Sequence, residues 1–439
     1  LMNRTATIAE TFIDGFDAGI GSIEGEPEAV VALRLQGSRA FAAAGVPTPK
    51  QEAWRFTSLK DLAATPHEPG ELATADISPW RLGESHRMVF VNGRYSSGLS
   101  DVGSLPDGVT ISPLAAALTA GHERAAFALG KGVNLEDHPF AALNTANFVD
   151  GAFIHLERGA VVDKPIHLLF VAVTGDRPTW SAPRNVISAD PTAEATIVEH
   201  YVGAGGETLT VPVTEFHLAP GAVVKHVRFQ EEGRRARHIA LQTSRQGRDS
   251  RLDSVALNVG AALSRTDIDA ELNAPGAHAT LDGLTLVEDS QHSDSQLKVR
   301  HAAPHCTSHE LYKGILDGKS RAVFNGRIVV DPGAQKTDAI QSNRNLLLSA
   351  GALVNSNPQL EILADDVRCT HGSTVGRLDE EAIFYLRSRG IDRATAESLL
   401  TYAFAAEVVQ EIPVTEVRER MERHLVERLP QGELAREAF

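Results

Sequence analysis

With 439 residues, 42% of them hydrophobic and 23% charged, the chain is long enough for two or three domains with a sizeable core and has the composition of an ordinary globular protein. A net charge of -15 argues against a nucleic-acid or anionic-membrane surface, despite the basic run Arg234-Arg235-Ala236-Arg237-His238, and no apolar run approaches the roughly 18 residues needed to cross a bilayer. The opening Leu1-Met2-Asn3-Arg4 carries no apolar signal core, and two cysteines, Cys306 and Cys369, are too few for a disulfide framework, so a cytoplasmic, reducing location is expected.

The first clear element runs from Glu28 to Ala44. Val30, Leu33, Ala40, Phe41 and Ala44 fall at helical spacing, and Gly45 supplies a stop before Pro47 and Pro49. The aromatic and charged run Lys50-Gln51-Glu52-Ala53-Trp54-Arg55-Phe56-Thr57 reads either as a surface element or as a brace between domains. Met88-Val89-Phe90-Val91 followed by Asn92-Gly93 predicts a hairpin. Residues 1–147 are therefore expected to be mostly helical, with a small β segment.

From about residue 148 to 376 short β-prone runs dominate, among them Phe153-Ile154-His155-Leu156, Ile166-His167-Leu168-Leu169-Phe170-Val171, Thr196-Ile197-Val198, Thr214-Glu215-Phe216-His217-Leu218 and Arg327-Ile328-Val329-Val330. Small-residue turns recur between them at Gly159, Gly221, Gly276, Gly333 and Gly351. Gly221 to Gly276 spans 55 residues, Gly276 to Gly333 spans 57 and Gly333 to Gly351 spans 18, so the long gaps are close to three times the short one. A recurring Gly corner is what stacked coils need, and a parallel β-helix is the expected core.

Helices return over residues 377–439. One is expected over 378–389, ending at Gly390. A second is capped by Asp392 and carries the stripe Leu399, Leu400, Ala403, Phe404 and Val408. A third covers 414–429, with Val417, Met421, Leu425 and Leu429 on one face. This last stripe suits packing or a partner surface equally.

Several apparent motifs carry little. Residues 314–320 resemble a phosphate-binding loop but have three residues between the glycines where four are needed, so a turn with a solvated Lys319 is expected. His301, His305, Cys306 and His309 are dense in ligand types, yet Pro304 prevents a regular helix from aligning them. No Gly-x-Ser-x-Gly elbow is present. Asp365 and Asp366 offer the paired carboxylates of a β-helix polysaccharide lyase or glycosidase, but adjacent strand residues face opposite ways.

The most informative stretch is Asp365-Asp366-Val367-Arg368-Cys369-Thr370-His371-Gly372-Ser373-Thr374-Val375-Gly376, where the β-rich region stops. On a strand, Cys369 and His371 share a face. One reading is a small buried cysteine beside a satisfied histidine. The other is a pair that binds a soft metal or holds sulfur, with the imidazole helping to keep the thiol deprotonated.

This stretch, together with Tyr312-Lys313-Gly314-Ile315-Leu316, Ser320-Arg321-Ala322-Val323-Phe324-Asn325-Gly326, Gln341-Ser342-Asn343-Arg344-Asn345-Leu346-Leu347-Leu348-Ser349, Tyr385-Leu386-Arg387-Ser388-Arg389-Gly390-Ile391 and the Lys50 to Thr57 run, resembles the SufB/SufD family of the SUF iron-sulfur cluster assembly system, in its SufD branch. The resemblance implies a right-handed parallel β-helix over 148–376 between N-terminal and C-terminal helical regions. It implies a scaffold subunit without turnover of its own. Its partners would be SufB, through the β-helix, and the ATPase SufC, on the C-terminal helices, with a homodimer as the state of the isolated chain. No cofactor is expected to stay bound, and a transient Fe-S cluster would form at the interface with SufB. His371 corresponds to the family's functional interface histidine and Cys369 to its neighbouring cysteine, with His371 ranked first. Thr370 and Gly372 stand where the SufB branch carries acidic residues, and the N-terminal region lacks that branch's clustered cysteines. The alternatives are a SufB-like primary scaffold and a stand-alone carbohydrate-active β-helix enzyme.

Overall fold

The structure, a computed structural model, describes residues 23–438 apart from 176 and 204; the first 22 residues, part of the expected N-terminal helical region, lie outside the described residues. Its core is two facing sheets, one of 12 strands and one of 10. Consecutive strands from Val213–Leu218 to Arg368–Gly376 alternate between the sheets, and each pairs in parallel with the strand two places on. The expected β-helix is therefore present, flanked by helices at both ends of the chain.

The coil length differs from the expected repeat. Gly159, Thr192, Gly221, Asp249, Gly276, His305 and Lys336 all have positive φ and form one corner column. The Thr192 N–H donates to the Pro220 carbonyl, Gly221 to Arg248, Asp249 to Pro275 and His305 to Gln335. Gly221, Asp249, Gly276 and His305 are 28, 27 and 29 residues apart, so the 55-residue gap is two coils. Gly351 instead sits over Gly318 in the opposite corner, which removes the 18-residue gap from the repeat. Glycine marks only some corners, because stacked backbone hydrogen bonds hold Thr192, Asp249, His305 and Lys336 in a left-handed conformation that costs non-glycine residues about 1–2 kcal/mol. The residue after each corner is small and buried: Ala160, Ala193, Ala222, Ser250, Ala277, Cys306 and Thr337. Cys306 is thus a corner-packing residue, and its Sγ lies 3.3 Å from the Ala274 carbonyl.

At the N-terminal side, the helix Glu28–Ala44 forms as expected, burying Val30 and Phe41. The Asn92-Gly93 turn, with φ of 51° and 74°, links His86–Val91 to Arg94–Tyr95. His86–Val91 also pairs in parallel with Ile166–Ala172, so the second sheet reaches back to residue 86. The Lys50 to Thr57 run acts as a brace. The Arg265 guanidinium lies 3.7 Å over the Trp54 ring, donates to the Ala53 carbonyl and bonds Asp294, whose carboxylate also accepts from Thr57.

The C-terminal helices Glu380–Ser388, Arg393–Val409, Thr415–Arg428 and Gly432–Glu437 follow the last strand. Asp392 accepts from the Thr395 N–H, as a cap should. Tyr402, Ala405, Val408, Met421 and Leu425 pack on the outer face of the second sheet against Val227, Phe229, Leu257, Leu284 and Ile315. Glu231 pins this layer: its carboxylate receives His200 Nε2, Arg420 Nε and His424 Nε2, each at 2.6 Å. Burial alone would raise this carboxyl, but those bonds and the Arg420 charge hold it far below the usual carboxylate range. Glu231→Ala is expected to lower unfolding stability by about 2–4 kcal/mol, since the Arg420 guanidinium loses its anion and two imidazoles lose their hydrogen-bond partner. Urea denaturation measures the loss, and limited proteolysis should cut faster within residues 410–438.

Candidate functional site

Cys369 and His371 lie on Arg368–Gly376, the terminal strand of the second sheet. The register pairs Cys369 with Ala339 and His371 with Gln341, both buried. Paired residues of a parallel ladder share a face, so the thiol and the imidazole both face the bore between the sheets, about 6.6 Å apart along the strand. Ser373, two residues further on, confirms that face: its hydroxyl bonds Ser356 at 2.7 Å on Leu353–Ile362 of the opposite sheet. These two strands are the last of their sheets, and each pairs on one side only. His371 is consequently exposed, whereas Cys369 is half-buried against Ile328, Val330, Ala339 and Ala364.

Burial and the nearby Asp338 carboxylate push the Cys369 thiol up. The expectation that His371 keeps it deprotonated is therefore corrected: at neutral pH the thiol holds its proton, because the apolar wall beneath it and an anion beside it both disfavour a thiolate.

The remaining sequence candidates separate in space. His301 faces the bore and bonds the Ser308 hydroxyl at 3.0 Å, with burial holding its imidazole down at about 4. His305 and Cys306 form the corner, and His309 points outward, 3.9 Å from Asp282. No group of three or more metal-ligating side chains is found among the described residues. Gly314 lies within Thr307–Leu316, and Lys319 is exposed in the turn after it, as expected. Asp366 pairs with Lys336 at a corner and Asp365 is exposed, so the two acids form no joint site.

A polar interior beneath His371 went unrecognised in the sequence. Glu310, Tyr312, Gln341, Asn343 and Asn345 are all buried on inward positions of the last coils. The Ser356 hydroxyl donates to Asn343 Oδ1 at 2.8 Å, Asn345 Nδ2 donates to the same oxygen at 2.7 Å, and Gln341 Nε2 donates to Glu310 Oε2. A Cβ at Gly326 would collide with the Gln341 amide, and one at Gly283 with the Tyr312 ring. The alternation of Glu310 with Tyr312, and of Gln341 with Asn343 and Asn345, is the signal that could have located this face. Burial, with a smaller push from Asp282, raises the Glu310 carboxyl to about 7.

The chain matches the SufBD core domain of SUF system FeS cluster assembly over residues 170–404, and the SufBD protein N-terminal region over 81–168. The chain belongs to the SufBD family. An iron-sulfur cluster assembly SufBD family protein of Synechocystis is 31% identical, with 91% of each chain covered. The iron-sulfur cluster assembly protein SufD of Escherichia coli is 31% identical over 88% of this chain and 90% of its own. SufD of Bacillus subtilis is 26% identical over 66% and 67%. SufBD membership makes this chain an assembly protein and not a polysaccharide-cleaving enzyme.

Two measurements follow from the SufBD site's electrostatics. Because its pKa is raised, Glu310 contributes stability that is present below the ordinary glutamate value of 4.5 and lost as pH rises through about 7. Glu310→Gln should flatten that fall by up to about 3 kcal/mol, read as unfolding stability between pH 4.5 and 8. Asp338→Asn should speed alkylation of Cys369 at pH 8 on the order of two-fold by easing thiolate formation, with buried Cys306 as the unreactive control.

Proposed function

We propose that this chain is the SufD-type subunit of a cytoplasmic SUF assembly complex, pairing at its open β-helix end with a SufB-type subunit and carrying a SufC-type ATPase on its C-terminal helices. The observation that carries this reading is the coincidence of Cys369 and His371 with the coil at which both sheets end unpaired. An exposed edge strand offers a row of free N–H and C=O groups to a second chain. The apolar Leu353, Ile362, Leu363 and Val375 are exposed around it. In isolation a second copy of the chain takes the partner's place.

The donor set supports an interface site as well. One thiol and one imidazole are too few to hold a cluster, whose irons need about four protein ligands in all, so the partner completes the set. The cluster is cargo: it is held transiently while built and is passed on. His371 ligates or handles a proton, and Cys369 is secondary. The β-helix over 148–376 is the pairing body, and residues 377–439 receive the ATPase. Phe384 and Tyr385 on Glu380–Ser388, 71% and 57% exposed, present an aromatic surface for that contact.

His371→Ala removes an exposed side chain and no core volume. In a reconstituted complex of this chain with SufB-type and SufC-type partners, it is expected to leave co-elution of the subunits unchanged and to reduce iron and sulfide acquisition at least ten-fold. Wild-type acquisition by that variant would reject the role of His371, and failure of the wild-type chain to associate with such partners would reject the assignment as a whole.

A further inference from the structure

Gln341 and Glu310 are built into the bore behind His371 in a way that packing does not explain. Gln341 is the register neighbour of His371 and is 1% exposed. Its Nε2 donates to Glu310 Oε2, while its Oε1 is buried without a hydrogen-bond partner. An unpartnered buried carbonyl oxygen costs about 1–3 kcal/mol, and the protein has nonetheless kept the space for this amide by placing Gly326 opposite it. Inward neighbours in a parallel ladder stand about 4.8 Å apart; the exposed His371 ring is not bonded to this oxygen in the structure, and a turn of its side chain toward the bore is what brings an imidazole N–H to it. The anchor is suited to its task. Glu310 is fully buried, and its Oε2 accepts from the Gln341 amino group. That contact turns the amide nitrogen to Glu310 and leaves the amide oxygen without a partner.

We propose that Gln341, anchored by Glu310, is a positioning residue for His371: once the ring turns inward, the free amide oxygen accepts one imidazole N–H, which selects a single tautomer and turns the other ring nitrogen toward the partner subunit. The inference rests on the reading of His371 as the working imidazole. It gives the buried pair the part that outer hydrogen-bond partners play at metal-ligating histidines, where they set tautomer and ring orientation.

The test combines two readouts. In the full-length chain labelled with ¹⁵N-histidine, the His371 ring resonances, assigned by their loss in His371→Ala, report the tautomer. In the reconstituted complex, iron and sulfide content reports acquisition. Gln341→Met keeps the shape and removes the acceptor; it is expected to give mixed tautomers and about a ten-fold loss of acquisition. Glu310→Leu, which removes the anchor, should behave likewise. Glu310→Gln, which offers the same carbonyl acceptor, should retain one tautomer and wild-type acquisition. A packing role alone would lower the thermal midpoint without moving the tautomer. The inference is overturned if His371 shows the same tautomer in Gln341→Met as in the wild type, or if Glu310→Gln loses as much acquisition as Glu310→Leu. If the tautomer responds to Gln341→Met while His371→Ala leaves acquisition intact, positioning stands and the role proposed for His371 falls.

Discussion

Backbone hydrogen bonding along the stack governs this molecule. In a parallel β-helix each strand's N–H and C=O groups are satisfied by the coils before and after it, so the two end coils are the only places where that demand is unmet. The ends are treated differently. At the N-terminal end, Val109–Pro113 and Arg94–Tyr95 close the two sheets with antiparallel pairing, and the helix Leu114–Thr119 packs beside Phe153 and Val186. At the other end no element covers Leu353–Ile362 or Arg368–Gly376 among the described residues. The chain then leaves for a helical layer that packs on the outer face of the second sheet and not over its end. Edge strands of 10 and 9 residues are a hazard that proteins usually blunt, so leaving both open is best understood as a provision for pairing.

The interior follows the same polarity. Near the capped end the bore is filled by Met88, Phe90, Ile154, Leu168, Phe170 and Phe216, a dry core of the usual kind. Those positions pass to Glu199, His226, Arg228 and Gln230 in the middle coils and to Glu310, Tyr312, Gln341, Asn343 and Asn345 toward the open end, while Ile328, Val330 and Ala339 keep one side apolar there. Substituting polar for apolar side chains sacrifices burial energy of about 1.5–3 kcal/mol per large residue, and each buried polar atom then needs a partner. Packing alone would select leucines at these sites. The polar run makes sense where a hydrogen-bonded lattice has to hold an exposed end coil in one geometry, since an apolar core would specify the positions of Ser373 and His371 only loosely.

Much of this was legible in the residues. Continuous apolar runs such as 166–171 gave strands because both faces are covered there. The Cys369 and His371 spacing gave a shared face because strand geometry leaves no alternative. The coil length was not legible, since Thr192, Asp249, His305 and Lys336 occupy corners that sequence reasoning reserves for glycine; register hydrogen bonds, invisible in the sequence, override the local preference. Strands such as Leu263–Leu272 and His292–His301 carry little apolar signal, because Arg265 and Asp294 on them meet the N-terminal brace at Ala53 and Thr57. The thiolate expectation failed for a related reason. Two neighbours on a strand can be read from spacing, but the wall of Ile328, Val330 and Ala364 behind Cys369 comes from two other coil segments.

That wall bears on how the two side chains divide the work. A thiol that burial and the Asp338 charge hold protonated must lose a proton before it can ligate, so its affinity for iron carries a deprotonation cost that an approaching cation has to supply. An imidazole ligates through a lone pair while neutral, and His371 stands further out on the same face, exposed where Cys369 is half-buried. On the proposed function, the order of encounter at the open end is imidazole first and thiol second, which suits a subunit that completes another chain's coordination set and does not assemble one alone.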